Sequence, residues 1–180
     1  MNRRKFIEYS IKTIALASVP VINFFPKVNI SEDEKKLPWS SNTFKFPLEN
    51  FKLQSGETLN NAFLLVNVNG ELNQSKSNAI IFATCFAGSH KFNQMAYGIN
   101  RALNPHKYCI ITPNLFCSGY SSSPSNTSPL QDGPRFPSVT YYDNINAQDK
   151  LISEYFGITN PLMYLGFSMG AQQAFHWGAL

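Results

Sequence analysis

A chain of 180 residues with 43% hydrophobic and 14% aromatic content has the length of one modest domain and enough apolar side chains for a packed core, which excludes an intrinsically disordered protein. The net charge of +4 does not mark a nucleic-acid surface. Arg3, Arg4, Lys5, Lys12 and Lys27 stand against Glu8 alone in the first 27 residues, and from Val28 onward ten basic and ten acidic residues cancel.

Residues 1–27 carry the twin-arginine pair Arg3-Arg4, then Phe6-Ile7 and a mildly apolar run from Ile14 to Phe25, the pattern of a twin-arginine export signal. Lys12, Pro20 and the shortness of the run argue against a bilayer span, which needs about 20 apolar residues. Ala15-Leu16-Ala17 has the small-x-small form of a cleavage site but falls early. The expectation is an exported chain, periplasmic or tethered to the membrane by its N terminus; read as an ordinary basic helix, the segment leaves the chain cytoplasmic. Residues 28–42, with the charge run Ser31 to Lys36 and Pro38, read as a solvated linker, and residues 43–180 as the domain.

Two β-patterned runs, Phe44 to Leu53 and Asn61 to Val68, flank the turn signal Gln54-Ser55-Gly56-Glu57, which predicts an antiparallel hairpin at one edge of a sheet. Ala79 to Ala83 and Tyr108 to Thr112 are continuous apolar runs suited to strands buried on both faces. The period of Phe92, Met95, Ala96, Ile99 and Leu103 predicts a helix ending before Asn104-Pro105. The long Ser/Asn/Pro-rich loop from Pro113 to Pro137 is expected to overhang the site. Thr140 to Phe156 predicts a helix with Gly157 at its C-terminal end, and Pro161 to Leu165 a further strand. This order predicts an α/β fold with a mostly parallel sheet.

The apolar run ends in Gly166-Phe167-Ser168-Met169-Gly170, followed by the helix former Ala171 to Phe175. G-x-S-x-G between strand and helix predicts a nucleophile elbow, a tight turn that exposes the serine Oγ, with Gly166 and Gly170 small because chain passes close to both. The N–H of Met169 then faces the oxygen of a bound acyl group. Thr84-Cys85-Phe86-Ala87-Gly88-Ser89-His90, after the strand at Ala79, is placed to supply a second such donor, with Phe86 the first candidate and Cys85 the next. His90 is expected at a loop or helix start rather than as the base, because in this chain order the base follows the serine.

Cys85, Cys109 and Cys117 lack the spacing of a disulfide framework or zinc site, so no metal or cofactor is predicted. Cys109 reads as a buried apolar residue.

Thr84 to His90, Asn114 to Asn126, Gly133-Pro134-Arg135-Phe136-Pro137 with Val139-Thr140 and Asp143-Asn144, and Gly166 to Gln173 form an ordered set. In that set the chain resembles the N-terminal half of an α/β-hydrolase of the homoserine O-acetyltransferase-like group. The resemblance implies a serine acyl transfer through an acyl-enzyme, with Ser168 as nucleophile, Met169 and Phe86 as backbone oxyanion donors, and an ester or an acyl donor such as acetyl-CoA as substrate. It also implies an Asp and a His after the serine. Only Met169 to Leu180 follow it, without an Asp, and His176 lies eight positions along a helix, roughly 12 Å away at about 1.5 Å per residue. The expectation is therefore a fold truncated after the serine turn and its helix, its active form completed by a C-terminal half, on this chain or another. The alternative is a non-catalytic remnant or exported binding module that keeps the turn as architecture.

Overall fold

The computed structural model describes residues 37–179. The signal reading and the charge run up to Lys36 lie outside the described residues.

Five strands form one mixed sheet: β1 (Ser41–Lys52), β2 (Thr58–Asn69), β3 (Ala79–Ala83), β4 (Cys109–Pro113) and β5 (Met163–Gly166), in the spatial order β1-β2-β4-β3-β5. The hairpin β1–β2 is antiparallel and occupies one edge, as its turn signal predicts. Pro47 is tolerated inside β1 because an edge strand needs donors on one side only, and Glu49, at φ 51°, sits where the register slips. β4 pairs antiparallel with β2 and parallel with β3, and β3 pairs parallel with β5. Among the described residues β5 has no partner on its far side, and Leu162 and Met163 are about half exposed.

All ten residues of β3 and β4 are buried, which explains their unbroken apolar character. Alternation along the strands divides the core. Ile81 and Ile111 face Phe46, Phe51, Leu64 and Val66 together with Leu151 and Ile152, whereas Phe82 and Ile110 face Tyr97 and Leu165.

Two helices cover the first of these faces: α2 (Tyr141–Lys150), extended by a π turn at Leu151–Tyr155, and α3 (Met169–Trp177). Thr140 caps α2 in a capping box with Asp143, and Gly157, at φ 61°, follows its end. The buried Asp143 carboxylate accepts from Thr140 N (2.8 Å) and from Gln54 N (2.6 Å), clamping the hairpin turn to the start of α2.

The helix expected from Phe92 to Leu103 is the main difference from the sequence reading. Only α1 (His90–Asn93) and a 3₁₀ turn at Gln94–Ala96 form. Tyr97 is extended, and its buried hydroxyl bonds Thr112 Oγ1 at 2.7 Å. Gly98 N then bonds Leu103 O, so the apolar residues beyond Tyr97 lie on a compact loop. A tertiary hydrogen bond and a glycine thus override the helical period.

The Pro113–Pro137 loop, expected to overhang the site, also bonds the edge of β2. β4 pairs with β2 only from Val66 to Asn69, and the rest of that edge is satisfied by the loop. Ser121 Oγ accepts from Leu65 N, Ser122 Oγ from Phe63 N, and Gln131 Oε1 from Asn60 N. Ser121, Ser122 and Gln131 of the loop thus stand in for a partner strand along that part of β2. The beginning of the loop, Leu115 to Cys117, stays beside Met169.

Candidate active site

The parallel strands β3, β4 and β5 bring their C-terminal ends together, and the segments leaving them form the site. Ser168 joins β5 to α3 at φ 49° and ψ −119°, a conformation that costs a non-glycine residue about 1–3 kcal/mol. The turn is held by Gly170 N to Phe167 O (2.7 Å) and Ala171 N to Ser168 O (2.9 Å). Ser168 is exposed, and its side chain does not cap the helix that it precedes.

Both glycines of the motif are sterically required. A Cβ on Gly166 would run into the backbone of Gly170, and one on Gly170 would stand 2.8 Å from Ala83 O. Helix α3 therefore lies directly against the end of β3. Phe167 packs its ring on Phe82 and Phe92, fixing the strand side of the turn.

The segment after β3 turns tightly. Gly88 N bonds Cys85 O at 3.0 Å, and Ala87 takes φ 55°. Phe86 sits in this turn with an exposed side chain, while Thr84 before it is fully buried. Thr84 Oγ1 has no hydrogen-bond partner among the described residues. Met169 opens α3 and, with Leu115, Phe116, Cys117, Val139 and Tyr141, lines an open cleft of about 340 Å³.

His90 begins α1 and is buried, in keeping with a helix-start role. Asn114, at the end of β4, accepts from His90 N (3.0 Å) and directs its amide to Leu65 O (2.8 Å) and His90 Nδ1 (3.1 Å). It thereby ties the segment after β3 to β2. Burial lowers the His90 pKa below its ordinary 6.5; the Asn114 bond opposes this in part, and Lys91 adds to it. His176 lies on α3 with its ring 6.5 Å from that of Tyr141. The three cysteines are free: Cys109 is buried and its thiol is pushed up to about 12 by desolvation, Cys117 is exposed, and Cys85 is half-buried.

Three buried amides have no assigned role in the sequence reading. Asn93 donates to Phe82 O (3.0 Å) and Ala83 O (3.2 Å), closing the end of β3. Gln148 of α2 donates to Gln173 of α3 (2.9 Å), and Gln173 to Thr84 O (3.2 Å). Their only signal in sequence is a polar residue at a core-facing helical position.

Among curated relatives the chain is 44% identical over 126 residues to an ethyl acetate hydrolase of Pseudomonas veronii, covering 69% of this chain and 36% of that protein. It is 33% identical over 154 residues to a homoserine O-acetyltransferase of Methanosarcina acetivorans, covering 76% of this chain and 28% of that one. Among solved structures the acetyl esterase MekB superposes with a TM-score of 0.71 at 40% identity, over 76% of this chain and 40% of its own. The chain thus spans well under half the length of these relatives. Residues 78–180 match the α/β-hydrolase fold family. With its mixed sheet, antiparallel hairpin and strand order, the chain belongs to that family.

Proposed function

We propose that Ser168 is the nucleophile of a serine acyl transfer, hydrolysing short-chain esters. The observation that carries this reading is its φ of 49° in an exposed turn, held between two glycines that have no room for a side chain. A serine kept in a strained conformation at the C-terminal end of a parallel sheet, with its hydroxyl unused by the helix behind it, is arranged for chemistry rather than for packing. Similarity to an ethyl acetate hydrolase and an acetyl esterase supports a small acyl group, and the cleft beside Met169 offers space for it.

In this reading the Ser168 Oγ attacks the ester carbonyl carbon as its proton passes to a histidine base. The oxyanion is met by the N–H groups of Met169 and Phe86. Collapse expels the alcohol, which takes the proton from the base. Water then attacks the acyl-serine, releasing the acid and restoring the hydroxyl. The base and its orienting Asp come from sequence outside these 180 residues, in the same polypeptide or a second one.

Acyl transfer to an acceptor hydroxyl, with acetyl-CoA as donor, is the second reading, favoured by the similarity to homoserine O-acetyltransferase. The test uses the intact protein. Labelling by a fluorophosphonate, mapped to the peptide bearing Ser168 and lost in Ser168→Ala, is the expected result. Cleavage of p-nitrophenyl acetate without thiol release from acetyl-CoA selects hydrolysis, and the converse selects transfer. An intact protein that takes no label and cleaves neither substrate is a non-catalytic member of the fold, and the proposal falls.

A further inference from the structure

The polar interior between α2, α3 and the end of β3 is built as a single directed chain. Tyr164 Oη donates to Gln148 Oε1, and Gln148 Nε2 donates to Gln173 Oε1 at 2.9 Å. Gln173 Nε2 donates to Thr84 O at 3.2 Å and to Met169 O at 3.3 Å. Gln148 and Gln173 are both fully buried. Backbone carbonyls only accept, so the NH₂ of Gln173 must face them. Its oxygen must then receive a donor from Gln148, whose own oxygen must receive the tyrosine hydroxyl. Burial raises the Tyr164 pKa, so the phenol keeps the proton that this chain requires. No member can flip without leaving a buried group unpaired.

The two carbonyls at the inner end flank the two arms of the site. Thr84 O lies in the same peptide plane as Cys85 N–H, and the next plane carries Phe86 N–H. Met169 O belongs to the residue whose own N–H is the other donor. We propose that Gln173 is a positioning residue for the oxyanion hole: its side-chain amide ties the carbonyls of Thr84 and Met169 together, and Gln148 and Tyr164 hold that amide in its donating orientation. This inference rests on Ser168 being the nucleophile. Its consequence is that the spacing of the two donor arms is set by a side chain of α3 in addition to the close contact at Gly170. A pre-set spacing matters because donors aimed at the oxyanion stabilise the transition state more than the bound ester.

The test compares Gln173→Met, the triple variant Tyr164→Phe/Gln148→Met/Gln173→Met, and Tyr164→Phe alone in the intact protein. Three readouts are followed: thermal midpoint, kcat and KM on p-nitrophenyl acetate, and hydrogen–deuterium exchange of peptides spanning residues 84–90 and 166–172. Gln173→Met should lower kcat at least tenfold with KM changed less than threefold, and speed exchange of both peptides. The triple variant also removes the Gln148 amide, which the single one leaves without its acceptor, and the Tyr164 hydroxyl, which would lose its own once Gln148 is replaced. It should recover much of the midpoint while kcat stays low, a separation that a purely structural role would not give. Tyr164→Phe loses one hydroxyl and keeps the packing; it should speed exchange at residues 84–90 even if Gln173→Met fails to fold.

Recovery of kcat along with the midpoint, or unchanged exchange at residues 84–90 in a folded variant, overturns the inference. If the unsubstituted protein lacks esterase activity, the functional reading falls, and the exchange arm still decides whether Gln173 sets the two segments.

Discussion

Substituting Gly170 by alanine tests how closely α3 must approach the end of β3. The added Cβ would stand 2.8 Å from Ala83 O and 3.3 Å from Thr84 O, where an ordinary contact begins at 3.4 Å. Ala83 lies in a strand paired on both sides, by β4 and β5, so the strand is the stiffer partner and the helix must give way. The required shift is about 0.6 Å. Forcing one methyl into a packed contact of this kind costs about 1–3 kcal/mol. For a domain of this size that lowers the thermal midpoint by roughly 3–10 °C. The same shift stretches the bond from Gln173 to Thr84 O beyond hydrogen-bonding length and, if Met169 N–H is the oxyanion donor proposed above, carries it away from the reacting oxygen. Since a misplacement of about 1 Å can cost a hundredfold in rate, a loss of roughly ten- to a hundredfold in kcat is expected. Calorimetry gives the first quantity and steady-state kinetics on p-nitrophenyl acetate the second. A midpoint within 1 °C of the parent would show that the helix does not press on β3 there, and the steric account of the G-x-S-x-G spacing would be wrong.

Asp143→Ala removes the acceptor for the backbone N–H groups of Thr140 and Gln54 and should destabilise the fold by about 2–4 kcal/mol, as a lost cap plus an orphaned donor; urea titration showing less than about 0.5 kcal/mol would refute the clamp between hairpin and helix. Thr84→Val replaces a buried hydroxyl without a partner among the described residues by a methyl group, so the midpoint should hold or rise; a clear fall would reveal a bond that the described residues do not contain. His90 has its pKa depressed by burial, so the unfolded chain binds its proton more readily. Its stabilising contribution is present above the ordinary pKa of 6.5 and is lost as pH falls from there towards the folded-state value. The drop in midpoint between pH 7.5 and 5 should therefore shrink in His90→Gln, and an unchanged pH profile would remove His90 from the account.

The relatives' greater length gives the open edge at β5 its context. In the chain described, Leu162 and Met163 are about half exposed beside a strand with one partner, and Phe175 on α3 is 83% exposed. An uncovered apolar edge invites pairing with another strand.

Much of this molecule is written locally and was therefore legible in the amino-acid sequence. β3 and β4 announce themselves by five-residue apolar runs, the hairpin by its Ser-Gly turn, and α2 by the stretch from Thr140 to Phe156 that Gly157 ends, because each depends on neighbours a few residues away. Gly166 and Gly170 belong to the same class, since a tight turn leaves the same steric mark wherever it occurs. What only the tertiary structure decided depends on partners far along the chain. The helical period from Phe92 to Leu103 gave way to a hydrogen bond between Tyr97 and Thr112, and the loop after Pro113 was claimed by the unpaired edge of β2. The amide of Gln173 found the carbonyl of Thr84, 89 residues earlier. A buried polar group must be satisfied wherever a partner can be found, and the distance at which it is found cannot be read from local pattern.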